Sequence, residues 1–545
     1  MRRDPALTSA LAALWLSLGL FVLYPFARLL QVTFFADGYF SVASLTRVFT
    51  NWYDRAAVFN SLYLALAVSL AGVLLGFIFA FSVTRMNLPR PIKWFLSAIP
   101  VLPLISPPFT SSIAITLALG PNGMFFRWFG LPQFNIYGFW GTWLSETLTV
   151  FPVAFLTLSA VLSAIDPNLE DASLSLGRSR LGTFASVTVP LATPGLANAF
   201  LLLFASSLAD FATPLVLAGH AFPVLPTQAY LQITGLHDLR GGASLSFILL
   251  VPALIVYFLQ RYWIGEKNYV TISGKSGPRS GIRSLGWAPE TFFLTVCCLV
   301  SAFILFLYAI IFLGSLVKVW GVDYRPTFEH YNYVFDRGMK AIKDTFIIAC
   351  VVTPLGAILG TALGYLTSRS RFPGRRFMEF ASLLNYALPG TVVGISYVIA
   401  FNTGPIVLTG TMAILVSAYV FRYDATGIRS TVASLQQIDP SLEEASLSLG
   451  ESAFGTFRKV TLPLIIPAVT AGMKFLFIRA MTAISATIFL VSVHWSLLTT
   501  RILECMTELQ FAQASAFSVV LILIVFAASG FISLAFRLAY PRYSR

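Results

Sequence analysis

The side chains able to do chemistry are sparse in this chain: 23 Asp and Glu, four His and four Cys among 545 residues. The His (His220, His237, His330, His494) are scattered, and Cys297, Cys298, Cys350 and Cys505 lack metal-ligand spacing. Adjacent Cys297 and Cys298 sit in an apolar run and read as small core residues. Catalysis would need clustered carboxylates, His or a metal motif, and the sequence has none. Gly274-Lys275-Ser276 imitates the end of a phosphate loop, but Tyr269 stands where that motif requires Gly. The patterned chemistry is acidic and occurs twice. One segment reads DPNLEDASLSLG from Asp166, the other DPSLEEASLSLG from Asp439. Asp-Pro is a helix-start signal, and a glycine (Gly177, Gly450) can end the short helix in a sharp turn. A second short stretch then runs to Val189-Pro190 or Leu462-Pro463, where the next long apolar run begins. The expected object is a polar helix-turn-helix that presents carboxylates. The plainer alternative is an acid that only caps its own helix.

The elements that must carry these segments are membrane helices. Apolar residues are 57% of the chain and charged residues 11%, with a mean hydropathy of +0.79. Soluble domains carry about 25% charge. The net charge of +13 is not gathered into a nucleic-acid-binding patch. Basic residues recur between apolar runs, as in Arg85, Arg90 and Lys93, in Lys267, Lys275, Arg279 and Arg283, and in Arg369, Arg371, Arg375 and Arg376. This is the positive-inside pattern of a polytopic protein, and it places both acidic segments and both termini in the cytoplasm. The run from Leu11 to Phe34 exceeds a signal-peptide core and reads as a retained first helix.

Self-similarity organises the rest. The segments from Asp166 and Asp439 align without a gap at an offset of 273 residues. Upstream, Gly72, Gly76 and Pro89 match Gly356, Gly360 and Pro373 at 284, the difference falling in a longer loop around Gly120 to Gly138. Each copy has six candidate spans: 10–35, 57–83, 94–119, 139–163, 194–218 and 243–262, then 289–316, 341–367, 378–401, 409–432, 466–492 and 514–537. The fold expected is an all-α polytopic membrane protein of about twelve transmembrane helices in two parallel six-helix repeats. The first repeat is 1–262, a basic cytoplasmic linker 263–288, and the second repeat 289–545. Small residues every fourth position (Gly72, Gly76, Ala80; Gly356, Gly360, Gly364) point to close helix packing.

The acidic segments resemble the loop of permease subunits of bacterial binding-protein-dependent ABC importers: Glu-Ala-Ala, three residues, Gly, nine residues, then Ile-x-Leu-Pro. The second copy matches as Glu444-Ala445-Ser446, Gly450 and Val460-Thr461-Leu462-Pro463. The first matches as Asp171-Ala172-Ser173, Gly177 and Val187-Thr188-Val189-Pro190, with Asp for Glu and Val for Leu. The resemblance implies a type I importer permease fold in the bacterial inner membrane. It implies that these residues, with the preceding Glu170 and Glu443, form coupling helices docking two ABC ATPase subunits. ATP and Mg would be used by those partners, with no cofactor held by this chain. A periplasmic binding protein would deliver the substrate. Fusion of two halves is similar to the ferric-iron permease group, which places ferric iron first. Thiamine, polyamines or organophosphates (phosphonates included) are the alternatives on the same machinery. An ion-driven secondary transporter is the alternative of another class. Glu146, Asp210, Lys474 and Arg479 lie in or near spans, where charge is costly. Asp210 and Arg479 fall on matching spans and are expected to face each other at a gate or pathway, or else to join helices as a structural ion pair.

Overall fold

The computed structural model describes residues 5–264 and 285–539, apart from Asp37, Pro108, Asn122, Phe129, Leu131 and Gln133. Most of the expected 263–288 linker, the phosphate-loop imitation at 274–276 and both extreme termini lie outside those residues.

Among the described residues, ten helices are long and apolar enough to cross a membrane. In the first repeat they are Thr8–Phe34, Trp52–Arg85, Phe109–Phe126, Phe139–Ala164, Arg180–Leu208 and Leu239–Tyr262. The second repeat contributes Trp287–Gly314, Met339–Arg369, Ala453–Thr482 and Phe511–Phe536. Its third expected span, 378–401, is two helices instead, Arg375–Ala387 and Gly390–Phe401, meeting at 108°. Leu388 between them is extended, as a residue preceding proline tends to be, and Pro389 offers no N–H to continue the ladder. The freed carbonyls find a partner in Arg422, whose Nη1 donates to Asn385 O at 3.3 Å and Leu388 O at 2.7 Å. The fourth expected span, 409–432, divides at Asp424 into Met412–Tyr423 and Ala425–Gln436. The count is therefore ten, or eleven with the bent pair as one span, where twelve were expected. Hydropathy registers an apolar run; proline and a buried charge decide whether it stays one helix.

The same three-helix core is built twice. Trp52–Arg85 packs on Phe139–Ala164 and Val189–Leu208; Met339–Arg369 packs on Ala425–Gln436 and Leu462–Thr482. Close approach explains the small residues. A Cβ on Gly76 would lie 2.6 Å from Ala154 Cβ and 2.8 Å from Phe155 N, and one on Gly360 would lie 2.5 Å from a carboxylate oxygen of Asp424.

The two repeats exchange their first spans. Tyr24–Phe34 packs on Gly390–Phe401 of the second repeat, and Trp287–Gly314 packs on Phe109–Leu119 of the first. A π-helical turn, Gly19–Leu23, precedes the first contact. Phe21 O within it accepts from Tyr397 Oη at 2.6 Å and from Asn385 Nδ2 at 3.4 Å. In the matching place Ser106 and Tyr308 share a hydroxyl–hydroxyl hydrogen bond, and Trp320 Nε1 donates to Leu117 O at 2.9 Å. Each first span also leads into a small antiparallel hairpin, Phe35–Ala36 with Tyr39–Phe40 and Val317–Val319 with Asp323–Pro326.

Candidate docking loops

The short helix of the first loop is Pro167–Ser175, and that of the second is Ser441–Ser448. Asp166 and Asp439 start them as expected, their carboxylates accepting from the amides of Asn168 and Ser441, each at 2.9 Å. The Ser441 amide bond holds the Asp439 carboxyl below its ordinary range. Both helices end at a glycine in the left-handed region, Gly177 at φ +83° and Gly450 at φ +91°. Nothing lies within 4 Å of a Cβ placed at either glycine, so backbone conformation alone requires them. Gly450→Val is therefore expected to lose about 1–2 kcal/mol from the turn, while Gly450→Asn retains most of the wild-type behaviour. Protease sensitivity of the loop in the two variants checks this; equal sensitivity would contradict it.

The second stretch is not a separate helix. Arg180–Thr183 and Ala453–Thr456 pass through π-helical turns, Phe184–Thr188 and Phe457–Thr461, straight into the fifth span of each repeat. Pro190 and Pro463 thus sit inside a continuous helix rather than at its start. Each proline follows closely on a π turn, where the regular i to i−4 ladder is already interrupted, so the N–H it lacks is not missed from a regular turn.

What pins each loop is a buried latch. Arg85 Nη1 lies 3.2 Å from Glu170 Oε2, with the two side chains 11% and 7% exposed. Arg85 Nη2 also donates to Leu162 O (2.9 Å) and Ile165 O (3.3 Å), and Thr188 Oγ1 donates to Glu170 Oε1 at 2.7 Å. The second repeat reproduces this arrangement. Arg369 Nε lies 3.5 Å from Glu443 Oε1, Arg369 Nη2 reaches Leu435 O (2.9 Å) and Ile438 O (2.7 Å), and Thr461 Oγ1 donates to Glu443 at 2.9 Å. Below the latch the hydroxyls of Ser173 and Thr183, and of Ser446 and Thr456, bond at 3.0 and 2.9 Å. Glu170, Glu443, Ser173 and Ser446 therefore face inward and hold the loop, although the sequence grouped them with a docking surface. Asp171 is half-buried and Glu444 exposed, with Ala172 and Ala445 exposed beside them. Around them stand Leu176 and Leu449, 85% and 87% exposed, with Leu181 and Phe454 also exposed. A polar loop that turns large apolar side chains outward twice, at matching positions, has the chemistry of a protein-binding face.

The in-span charges are distributed differently from the expected pairing. Asp210 caps the six-residue helix Ala212–Leu217, accepting from the amides of Ala212 (3.0 Å) and Thr213 (3.4 Å). Its acidic neighbour is Glu146 of the fourth span, which is fully buried and accepts a hydrogen bond from Ser207. Arg479 lies over the Phe475 ring at 5.2 Å, and no ion pair joins it to Asp210. Asp210 stands just past the end of its helix at Leu208, whereas Arg479 lies in the last turn of the matching helix, which ends at Thr482. Across the repeats, Phe211 and Tyr230 meet Phe489 at ring distances of 6.4 and 5.7 Å. Arg422 and Asp424 carry no motif that marks them in the sequence, and Arg85 and Arg369 stand there only among the topology-setting charges. The signal for the latter pair was available: both end the second span at the 284-residue offset. No group of three or more His, Cys, Asp or Glu able to hold a metal occurs among the described residues.

The chain matches the family described as the binding-protein-dependent transport system inner membrane component, at residues 72–265 and again at 353–545. It belongs to that family. The double match is that of a fused, two-repeat permease, and the protein is a transport permease of the ABC importer class rather than an enzyme. It is similar to the ferric transport system permease protein FbpB of Actinobacillus pleuropneumoniae, 34% identical over 541 residues, covering 97% of this chain and 78% of the relative. A Haemophilus influenzae protein of the same designation, FbpB 1, is 35% identical over 506 residues, covering 90% and 79%. The sulfate transport system permease protein CysT of Salmonella typhimurium is 27% identical over 197 residues. That stretch is 34% of this chain but 71% of the relative, as when one repeat matches a single-length permease.

Proposed function

We propose that this chain supplies both membrane halves of an ATP-driven importer of ferric iron, with residues 1–262 and 289–545 as the halves and 263–288 as their linker. The observation that carries this reading is the latched loop with an outward apolar face, built twice, once in each repeat. Two copies of an ABC ATPase dock there, one on Asp171, Ala172 and Gly177 with their exposed neighbours, the other on Glu444, Ala445 and Gly450. Each loop is held by Glu170 and Ser173 or Glu443 and Ser446, and joined to its span through Pro190 or Pro463. The ATPases use ATP and Mg, and a periplasmic binding protein delivers the ion. The loops and both termini face the cytoplasm, and the chain spans the inner membrane. Ferric iron is chosen because two relatives that align over 97% and 90% of this chain carry ferric transport in their names. Asp210, beside Glu146 at the break of the fifth span, lines the pathway, with Arg479 on the matching span of the other repeat.

Uptake of radiolabelled ferric iron into proteoliposomes containing the permease, binding protein and ATPase tests this. A hydrolysis-deficient ATPase is expected to abolish uptake. Uptake that persists and follows an imposed ion gradient would overturn the ATP-driven reading in favour of secondary transport; ATP-dependent uptake of another cargo would overturn iron alone.

A further inference from the structure

On the loop-bearing end of the second repeat lies a cavity of about 420 Å³ that the docking loops do not use. Four arginines line it: Arg261, Arg369, Arg375 and Arg429. A single carboxylate, Glu379, lies among the lining residues, and it is bound to Arg261 at 2.8 Å. Arg369 is engaged in the Glu443 latch. Among the described residues Arg375 has no acidic partner, and Arg429 meets only the face of Tyr386, at 5.9 Å. The Ser368 hydroxyl is buried at the wall without a hydrogen-bond partner among the described residues. Excess guanidinium, an idle hydroxyl and a volume in the range of small-ligand sites (about 300–1,000 Å³) ask for an anion with several acceptor oxygens.

Internal symmetry supplies a control. At the 273-residue offset Arg429 corresponds to Leu156, and at the 284-residue offset Glu379 corresponds to Phe95. Arg369 and its counterpart Arg85 keep the same latch in both repeats. The shared fold thus needs the latch arginine but not the charges around this cavity. Their position matters too, because Arg261 ends the sixth span of the first repeat while the other lining residues belong to the second. An anion here would tie the two repeats together across the Arg261–Glu379 pair.

We infer that this cavity binds a phosphate group between the two repeats, Arg375 and Arg429 supplying the free charge. A phosphate monoester, inorganic phosphate or the headgroup of an anionic lipid presents the required oxygens, and basic pockets between spans suit such headgroups. Only the assignment of the cavity to the cytoplasmic side rests on the orientation proposed above; binding itself does not depend on what is transported.

The test uses the full-length permease in neutral detergent, with its thermal midpoint followed on adding dioctanoyl phosphatidylglycerol, dioctanoyl phosphatidylcholine or inorganic phosphate. Wild type is expected to gain about 2–4 °C with a phosphate ligand, and Arg375→Gln/Arg429→Gln to lose that gain. Ala433→Trp, which fills the cavity while keeping every arginine, is expected to lose it as well and decides the matter if the double variant does not fold. A gain with phosphatidylglycerol but not phosphatidylcholine or inorganic phosphate identifies the lipid, and a gain with inorganic phosphate a soluble ligand. Equal responses in wild type and the folded variants, or no response in wild type, would overturn the site. Because no transport is measured, this result is separable from failure of the proposed function.

Discussion

Leu449→Asp is expected to abolish coupled uptake, with the helix core unmoved, and Glu444→Lys to do nearly as much. Leu449 is 87% exposed and touches little of its own chain, so a carboxylate there costs the fold almost nothing. Against a docked ATPase the same change buries an unpaired charge in what the loop presents as an apolar contact. Central apolar anchors of protein interfaces are worth about 2 kcal/mol or more, roughly thirtyfold in affinity. Co-purification of the ATPase with the permease and permease-stimulated hydrolysis measure the loss. The matching changes, Leu176→Asp and Asp171→Lys, are expected to act in the same direction. Glu444→Lys should be at least as severe as Asp171→Lys, since Glu444 is exposed and Asp171 half-buried. Full ATPase association with Leu449→Asp and Glu444→Lys together would remove the docking assignment.

The second large effect is expected from Arg85→Ala, through the fold of the loop rather than its surface. The change leaves Glu170 buried without its cation and frees the carbonyls of Leu162 and Ile165 at the end of the fourth span. Breaking a buried ion pair by removing one partner costs about 3–5 kcal/mol. Loss of order should centre on the loop from Asp166 to Arg180, seen as faster proteolysis there and a lower thermal midpoint. Uptake should fall with it. Arg85→Ala combined with Glu170→Gln is expected to recover part of the stability, because no buried charge is then left alone. Arg369→Ala should behave alike but more mildly, its ion pair being longer and slightly more exposed. If both single variants keep wild-type midpoints and loop protection, the latch does not hold the loops.

Each docking loop is divided between a buried anchor and an exposed face, a division its motif does not mark. Glu443 and Glu444 are adjacent acids in one motif, yet one points into the latch and the other to the surface. On a short helix neighbouring positions are about 100° apart, and which of them faces inward depends on where Arg369 ends the second span. That span is far away in sequence, so spacing within the motif carries no trace of the division. Asp210 is a similar case. The sequence placed it in the fifth span, but that helix ends at Leu208, and Asp210 lies just beyond it with Glu146 of the fourth span as its acidic neighbour.

Local and periodic features were determined by the sequence alone. Apolar runs in a charge-poor chain require lipid, and the recurrence at offsets of 273 and 284 requires two copies of one unit. Asp-Pro starts and left-handed glycine ends define the loop helices because capping and backbone conformation act over a few residues. Tertiary structure decided whatever depends on a distant partner. Arg422 stabilises the 108° bend at Pro389 that interrupts an apolar run, and the exchanged first spans lock onto the other repeat through Phe21 and Tyr308. It also separated the acids of each docking loop into a buried anchor and an exposed face, because a carboxylate turns inward only where a guanidinium and a threonine hydroxyl are already waiting.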